Sequence, residues 1–381
     1  MSHLHFDLHG LSVSIQAPDA DLSDFVKAHF EAARGASADA DLSVKAIWQW
    51  GKRDAAEPPT KNGARTEILG RGVTLSRGAG QHGDQLAAHW TRVPDFPELT
   101  LGFTLEGDAS PRLKVEARCA YEPKGVGRRI GYLRRERVDR KRNRLFFKLM
   151  YFMIYYPMAW QFERTRGWGL LHASAVTMPS GRAVLLSGMG GVGKSTLGLS
   201  LLSHPGVKLL SDNLIFHDEE RIYSFPEPVR LDADSVEGMT EAGLEPERTK
   251  LPSTAHPKPT YRVGAGRRTA AGPPGAVFFL RFAPKSGMTT IDPRRAAAML
   301  IAGNDLARAL VGQNDGVEPS SQRALAEVAV VNRGVPELIL VEYPAGPALV
   351  RVGARPRGVD GNPWGLDRHP RLGHALGRRL G

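Results

Sequence analysis

Apolar residues alternate with polar ones, or gather into β-branched runs, over residues 11–16, 42–50, 72–75, 99–105 and 113–119, each run bounded by Gly, Pro, Asp or Asn. A period of two sends alternate side chains to one face, so these runs predict half-buried strands. Residues 21–33 behave differently: Phe25, Ala28, Phe30 and Ala32 fall at helical spacing. Residues 1–123 therefore read as a small α+β module. Pro58 and Pro59 mark a surface loop within it.

The segment 145–162 is rich in Phe, Tyr and Met and reads as a helix or helix pair packing between modules. Its apolar stretch is broken by Lys148 and Pro157 and falls short of the roughly 18–20 residues a bilayer requires, so no transmembrane segment is expected. From 167 the texture changes to short strands (182–187, 207–210, 214–217, 276–282, 338–343) and helices (194–202, and others starting near 292 and 321), the pattern of an α/β domain. Residues 234–275, rich in Gly, Pro, Thr and Arg, read as a long excursion or flexible loop, and 354–381 as a disordered basic tail. The organisation expected is thus 1–123, a connector at 124–166, an α/β domain at 167–353, and the tail.

Composition narrows the class. With 381 residues, 41% hydrophobic, a packed core is possible, and a collagen, coiled coil or disulfide scaffold is excluded. Cys119 is the single cysteine, so no internal bridge can form. The N-terminus lacks a basic stretch followed by an apolar one, and a cytoplasmic location is expected. Net charge is +11, most of it between Lys124 and Lys148, where eleven Lys or Arg face only Glu136 and Asp139. Such a stretch can meet phosphates, acidic lipid heads or an acidic peptide, or be a solvated helix face. No helix-turn-helix, zinc-finger or RNP pattern accompanies it, which weighs against nucleic acid.

One string carries chemistry outright: Gly188-Met189-Gly190-Gly191-Val192-Gly193-Lys194-Ser195-Thr196, a complete G-x-x-x-x-G-K-[ST] pattern after an apolar strand and before a helix. A polyanion can be enclosed only by a loop turning tightly enough for its N–H groups to converge, which glycines allow. Lys194 would bring a cation to the β/γ-phosphates, Ser195 a hydroxyl to Mg²⁺, and the helix N-terminus its partial positive charge. Asp212 ends the next apolar strand 18 positions after Lys194, where an acid can hold Mg²⁺ or accept a proton from an attacking hydroxyl. The L-S-G-G-Q and N-K-x-D strings of other P-loop classes are absent, as is metal-ligand spacing for zinc.

Together with Leu171-His172-Ala173-Ser174-Ala175-Val176 upstream and Leu209-Leu210-Ser211-Asp212-Asn213 downstream, this loop resembles the bacterial HPr serine kinase/phosphorylase family and its divergent related proteins. The similarity covers roughly 167–350 and includes Val335-Pro336-Glu337-Leu338. It implies an α/β P-loop kinase domain of the HPr kinase/PEP carboxykinase-like type, using ATP and Mg²⁺ to phosphorylate a serine of a protein or peptide. By position it makes Asp212 the catalytic base, Lys194 and Ser195 the phosphate and Mg²⁺ ligands, and His172 the histidine beside the loop.

Two departures stand out. Asn213 replaces the family's second aspartate, keeping an oxygen for the metal site it would share with Ser195 and Asp212 while losing a charge, and the downstream glycine-rich signature with its Mg²⁺-binding glutamate is not recognisable. In Pro226-Glu227-Pro228-Val229-Arg230, Glu227 is the nearest candidate for the metal and Arg230 for the transition state. Three readings stay open: a serine kinase for a protein or peptide, with an acidic substrate meeting 124–148; a small-molecule kinase; and a nucleotide-binding regulator. A homo-oligomer is left open as well.

Overall fold

The computed structural model describes residues 2–30, 40–50, 65–70, 73–80, 83–90, 98–106, 112–121, 135–218, 220–241, 244, 246–302 and 337–343. The expectations for Pro58 and Pro59, for a helix near 321 and for the tail lie outside these residues, as does the basic stretch before 135. The chain divides into two compact units, one of residues 1–166 and 250–257, the other of 167–249 and 258–381.

The described residues of the first unit form eight strands: β1 (Ser2–Leu8), β2 (Leu11–Ala17), β3 (Leu42–Trp50), β4 (Arg65–Gly70), β5 (Val73–Gly80), β6 (Gly83–Trp90), β7 (Glu98–Glu106) and β8 (Arg112–Tyr121). Their order is β1-β2-β3-β8-β7-β6-β5-β4, antiparallel except where β3 runs parallel to β2 and β8. Strand β2 alternates strictly between buried and half-buried positions, as its sequence period requires. Helix α1 (Ala20–His29) starts where the Asp19 carboxylate accepts the Leu22 N–H at 2.8 Å.

Helix α2 (Arg135–Met150) runs through a π-turn at Tyr151–Tyr155 into α3 (Tyr156–Arg166). Pro157 has no N–H to donate and crowds the preceding turn, and the ladder widens there, with the Tyr156 N–H reaching the Tyr151 carbonyl. The aromatic run of the sequence becomes core: Phe146 meets Phe25 edge-on at 5.6 Å and Trp48 at 5.0 Å between ring centroids.

The second unit contains β9 (Gly169–His172), β10 (Ser174–Thr177), β11 (Ala183–Ser187), α4 (Lys194–Leu201), β12 (Lys208–Ser211), β13 (Leu214–His217), β14 (Ile222–Tyr223), β15 (Val229–Arg230), α5 (Ala233–Glu241), β16 (Glu247–Arg248), β17 (Thr260–Arg262), β18 (Ala271–Gly272), β19 (Pro274–Phe282), β20 (Gly287–Thr290), α6 (Pro293–Ala302) and β21 (Glu337–Tyr343). This is a mixed α/β arrangement. Its main sheet has the order β12-β10-β11-β19-β21-β20, with β11, β19 and β21 parallel, and smaller sheets β18-β14-β13-β9 and β15-β17-β16 accompany it.

The main sheet is buried on both faces. Val184, Leu186, Phe278 and Leu280 belong to one cluster with Leu199 of α4 and Met239 of α5; Leu185, Val277 and Phe279 belong to the other with Leu171, Ile215 and Leu300. Double-sided burial explains why these strands read as continuous apolar runs. The flexible-loop reading of 234–275 is corrected: the segment contains most of α5, strands β16, β17 and β18, and a 3₁₀ turn at Ala265–Arg267, while 250–257 belongs to the first unit. Strands of two or three residues are too short to show a period and form by pairing with distant chain, as Val229 does with Tyr261.

Candidate functional site

Strand direction gathers the chemistry. Strands β11 and β12 both run antiparallel to β10, which lies between them, so the C-terminal ends of the outer pair and the start of β10 share one edge of the sheet. The loop 188–193 leaves β11 at that edge, Asp212 follows the last residue of β12, and His172 ends β9 just before β10 begins. Such edges, beyond the carboxyl ends of parallel strands, are where α/β sheets bind ligands.

The loop needs its glycines. Gly188 has φ 142° and Gly193 φ 87°, backbone that side-chain-bearing residues rarely adopt. A Cβ on Gly188 would also stand 2.5 Å from the Leu280 carbonyl oxygen of β19. Gly193 precedes α4 and supplies no side-chain cap, leaving the helix's first N–H groups to the loop interior. Val192 is buried in the core, whereas Met189 is 82% exposed. Lys194 folds over the loop, its Nζ donating to the carbonyls of Gly188 at 2.7 Å and Met189 at 3.1 Å. Thr196 follows Ser195 on α4, half-buried.

Asp212 is buried, and burial raises its pKa. The Ser195 hydroxyl, the Arg230 guanidinium and backbone N–H, and the Lys194 ammonium oppose that rise. Its Oδ1 is buried without a hydrogen-bond partner. Burial lowers the Lys194 pKa, against the pull of Asp212. His172 is pushed down to about 4, first by burial and then by the charges of Lys194 and Arg230, so at neutral pH its ring is uncharged. Asn213 donates from Nδ2 to Glu227 Oε2 at 2.9 Å, and Glu227 Oε1 lies 3.6 Å from Arg230 Nη2.

The fold thus brings Lys194, Ser195, Asp212, His172 and Arg230 into one electrostatic neighbourhood, with Asn213 and Glu227 joined to it through Arg230. Sequence reading misses two supports. The Ser211 hydroxyl donates to the Leu214 carbonyl at 2.5 Å, fixing the turn that carries Asp212, and Leu280 crowds Gly188. The first lies inside a quoted motif; the second depends on a pairing nearly a hundred residues distant in sequence and has no local signal.

An Mg²⁺ with few protein ligands and a nucleotide's phosphates for the rest is compatible with these residues: the unpartnered Asp212 Oδ1 and the Ser195 hydroxyl are oxygen donors beside the loop. Among the described residues no group of three or more His, Cys, Asp or Glu side chains could hold a metal by itself, and no helix is long and apolar enough to cross a membrane.

No family model matches the chain, and no curated protein matches it. Among solved structures, it is similar to the HPr(Ser) kinase/phosphatase from Coxiella burnetii at 12% identity and a TM-score of 0.23, over 54% of this chain and 98% of that one.

Proposed function

We propose that the second unit is an ATP-dependent phosphotransferase that moves the γ-phosphoryl to a hydroxyl, a serine of a protein or peptide. The observation that carries this reading is the meeting of a buried, partly unpartnered Asp212 with Ser195 and Lys194 of the glycine loop. The loop N–H groups and the start of α4 would bind phosphate oxygens, and Lys194 would exchange its carbonyl partners for the β/γ oxygens. Burial strengthens Asp212 as a base relative to an exposed carboxylate, which suits a group that takes a proton from the attacking hydroxyl. Neutral His172 can donate one ring N–H without adding charge, and Arg230 supplies the cation opposite Asp212. Ser195 and Asp212 would hold Mg²⁺, whose charge would offset that of the phosphoryl oxygens.

The test uses purified protein, Mg²⁺, ATP labelled at the γ-phosphoryl, and the polypeptides encoded beside its gene. Label should appear on a serine of one of them. Asp212→Asn should lower transfer by about 10²–10⁴-fold, the usual worth of a general base, while nucleotide affinity stays within about tenfold. Unchanged turnover in that variant removes Asp212 from the role of base. Binding without transfer to any acceptor favours a nucleotide-binding regulator.

A further inference from the structure

Glu227 is a buried carboxylate for which the transfer chemistry above has no use. Its side chain is 1% exposed, and both oxygens face neighbours: Oε2 accepts from Asn213 Nδ2 at 2.9 Å and Oε1 faces Arg230 Nη2 at 3.6 Å. The backbone beneath it is stiff. Pro226 and Pro228 flank it, so its own φ/ψ range is narrowed by the following proline, and its N–H is tied to the Phe225 carbonyl at 2.9 Å. Three residues on, Arg230 is fixed in β15 opposite Thr260.

We propose that Glu227 is a positioning residue that holds Arg230 at the phosphoryl-transfer site, and that residue 213 is an amide because it must donate to Glu227. The inference rests on the phosphotransfer reading above and assigns Glu227 and Asn213 to one chain of contacts, Asn213 to Glu227 to Arg230. Electrostatics supports it. Arg230 acts on Asp212, Lys194 and His172 together, so its guanidinium lies where a transferring phosphoryl would need a cation. A guanidinium free to collapse onto Asp212 would quench the base; a second carboxylate 3.6 Å from Nη2 competes for the same cation. An aspartate at position 213 would set two carboxylates face to face with no proton between them, inside the protein, where like charges are poorly screened. Asn213 preserves the oxygen and removes that repulsion.

The test is a charge exchange across the 213–227 contact, with Asn213→Asp, Glu227→Gln and the double variant. In the double variant the amide introduced at position 227 can donate to the carboxylate introduced at position 213 while its oxygen still faces Arg230, so the net charge and a donor–acceptor contact are restored. Asn213→Asp alone should lower kcat for transfer about 10–100-fold, the size of effect found when a partner orienting a reactive group is lost, with KM for ATP within about threefold. The double variant should recover to within about fivefold of the parent, a non-additivity that only a direct contact explains. Affinity for a fluorescent ATP analogue and the midpoint of thermal unfolding are read on all four proteins. Losses that multiply in the double variant overturn the proposal. So does rescue of thermal stability with kcat unmoved, which would make the contact structural alone. A parent protein that binds no nucleotide sinks the reading of the site and this role with it; a parent that transfers phosphoryl while Asn213→Asp leaves kcat unchanged sinks this role only.

Discussion

His217 offers a measurement independent of any assumption about activity. It ends β13 opposite Gly169 of β9, is fully buried, and a Cβ on Gly169 would overlap its ring. Burial pushes its pKa from 6.5 down to about 4, against the opposing pull of Asp218. A folded-state value below the unfolded one means that the unfolded chain takes the proton first as pH falls. The stabilisation is therefore complete above 6.5 and is lost progressively down to about 4. Two and a half pH units at 1.36 kcal/mol each give about 3 kcal/mol. His172 titrates in the same window and adds its own slope, so the parent alone cannot isolate the effect. His217→Phe can, because it keeps a flat ring over Gly169 and removes the titration. Urea unfolding of both proteins at steps from above pH 6.5 to pH 4, followed by far-UV circular dichroism, should show the parent losing about 3 kcal/mol more than the variant across that interval. Parallel stability curves would refute the assignment of a neutral, buried His217.

The loop supplies two further expectations. Gly188→Ala forces a side chain into φ 142° and against the Leu280 carbonyl, and should cost at least about 1–3 kcal/mol from backbone strain alone; an unchanged urea midpoint would contradict the geometry. Ser195→Ala removes the hydroxyl that interacts with Asp212, so the gain in ATP-analogue affinity on adding Mg²⁺ should shrink by about tenfold, read by fluorescence titration with and without the ion. Equal Mg²⁺ dependence in parent and variant would exclude Ser195 as a metal ligand.

The features legible in the sequence are those that local chemistry dictates. Glycines at 188, 191 and 193 are demanded by the backbone of one loop, and an acid ending the next apolar strand returns to that loop because strand, helix and strand form a single unit. Buried strands β11, β19 and β21 stand out as apolar runs because both of their faces are covered. Strand β1 is not among the runs read as strands although Leu4, Phe6 and Leu8 alternate along it, and β4 and β6 lack a clean period. The short strands within 234–275 have no period of their own and exist only through pairing, β16 with β17 across about a dozen residues and β17 with β15 across about thirty. Likewise, nothing in the spacing of Asn213, Glu227 and Arg230 says that they touch; a turn between two prolines makes that contact.

That β10 is reversed between two strands pointing the other way has a practical outcome. With every reactive group collected at one end of the sheet, the hairpin joining β10 to β11 projects from the other end, where Pro179, Ser180 and Gly181 are all exposed. The five residues of β11 separate that tip from the glycine loop by about 16 Å at ~3.3 Å per residue. A dye, a tether or a short epitope grafted there would ride on the same strand as the loop, so it could test whether the loop takes up a nucleotide, or immobilise the molecule, without entering the loop itself.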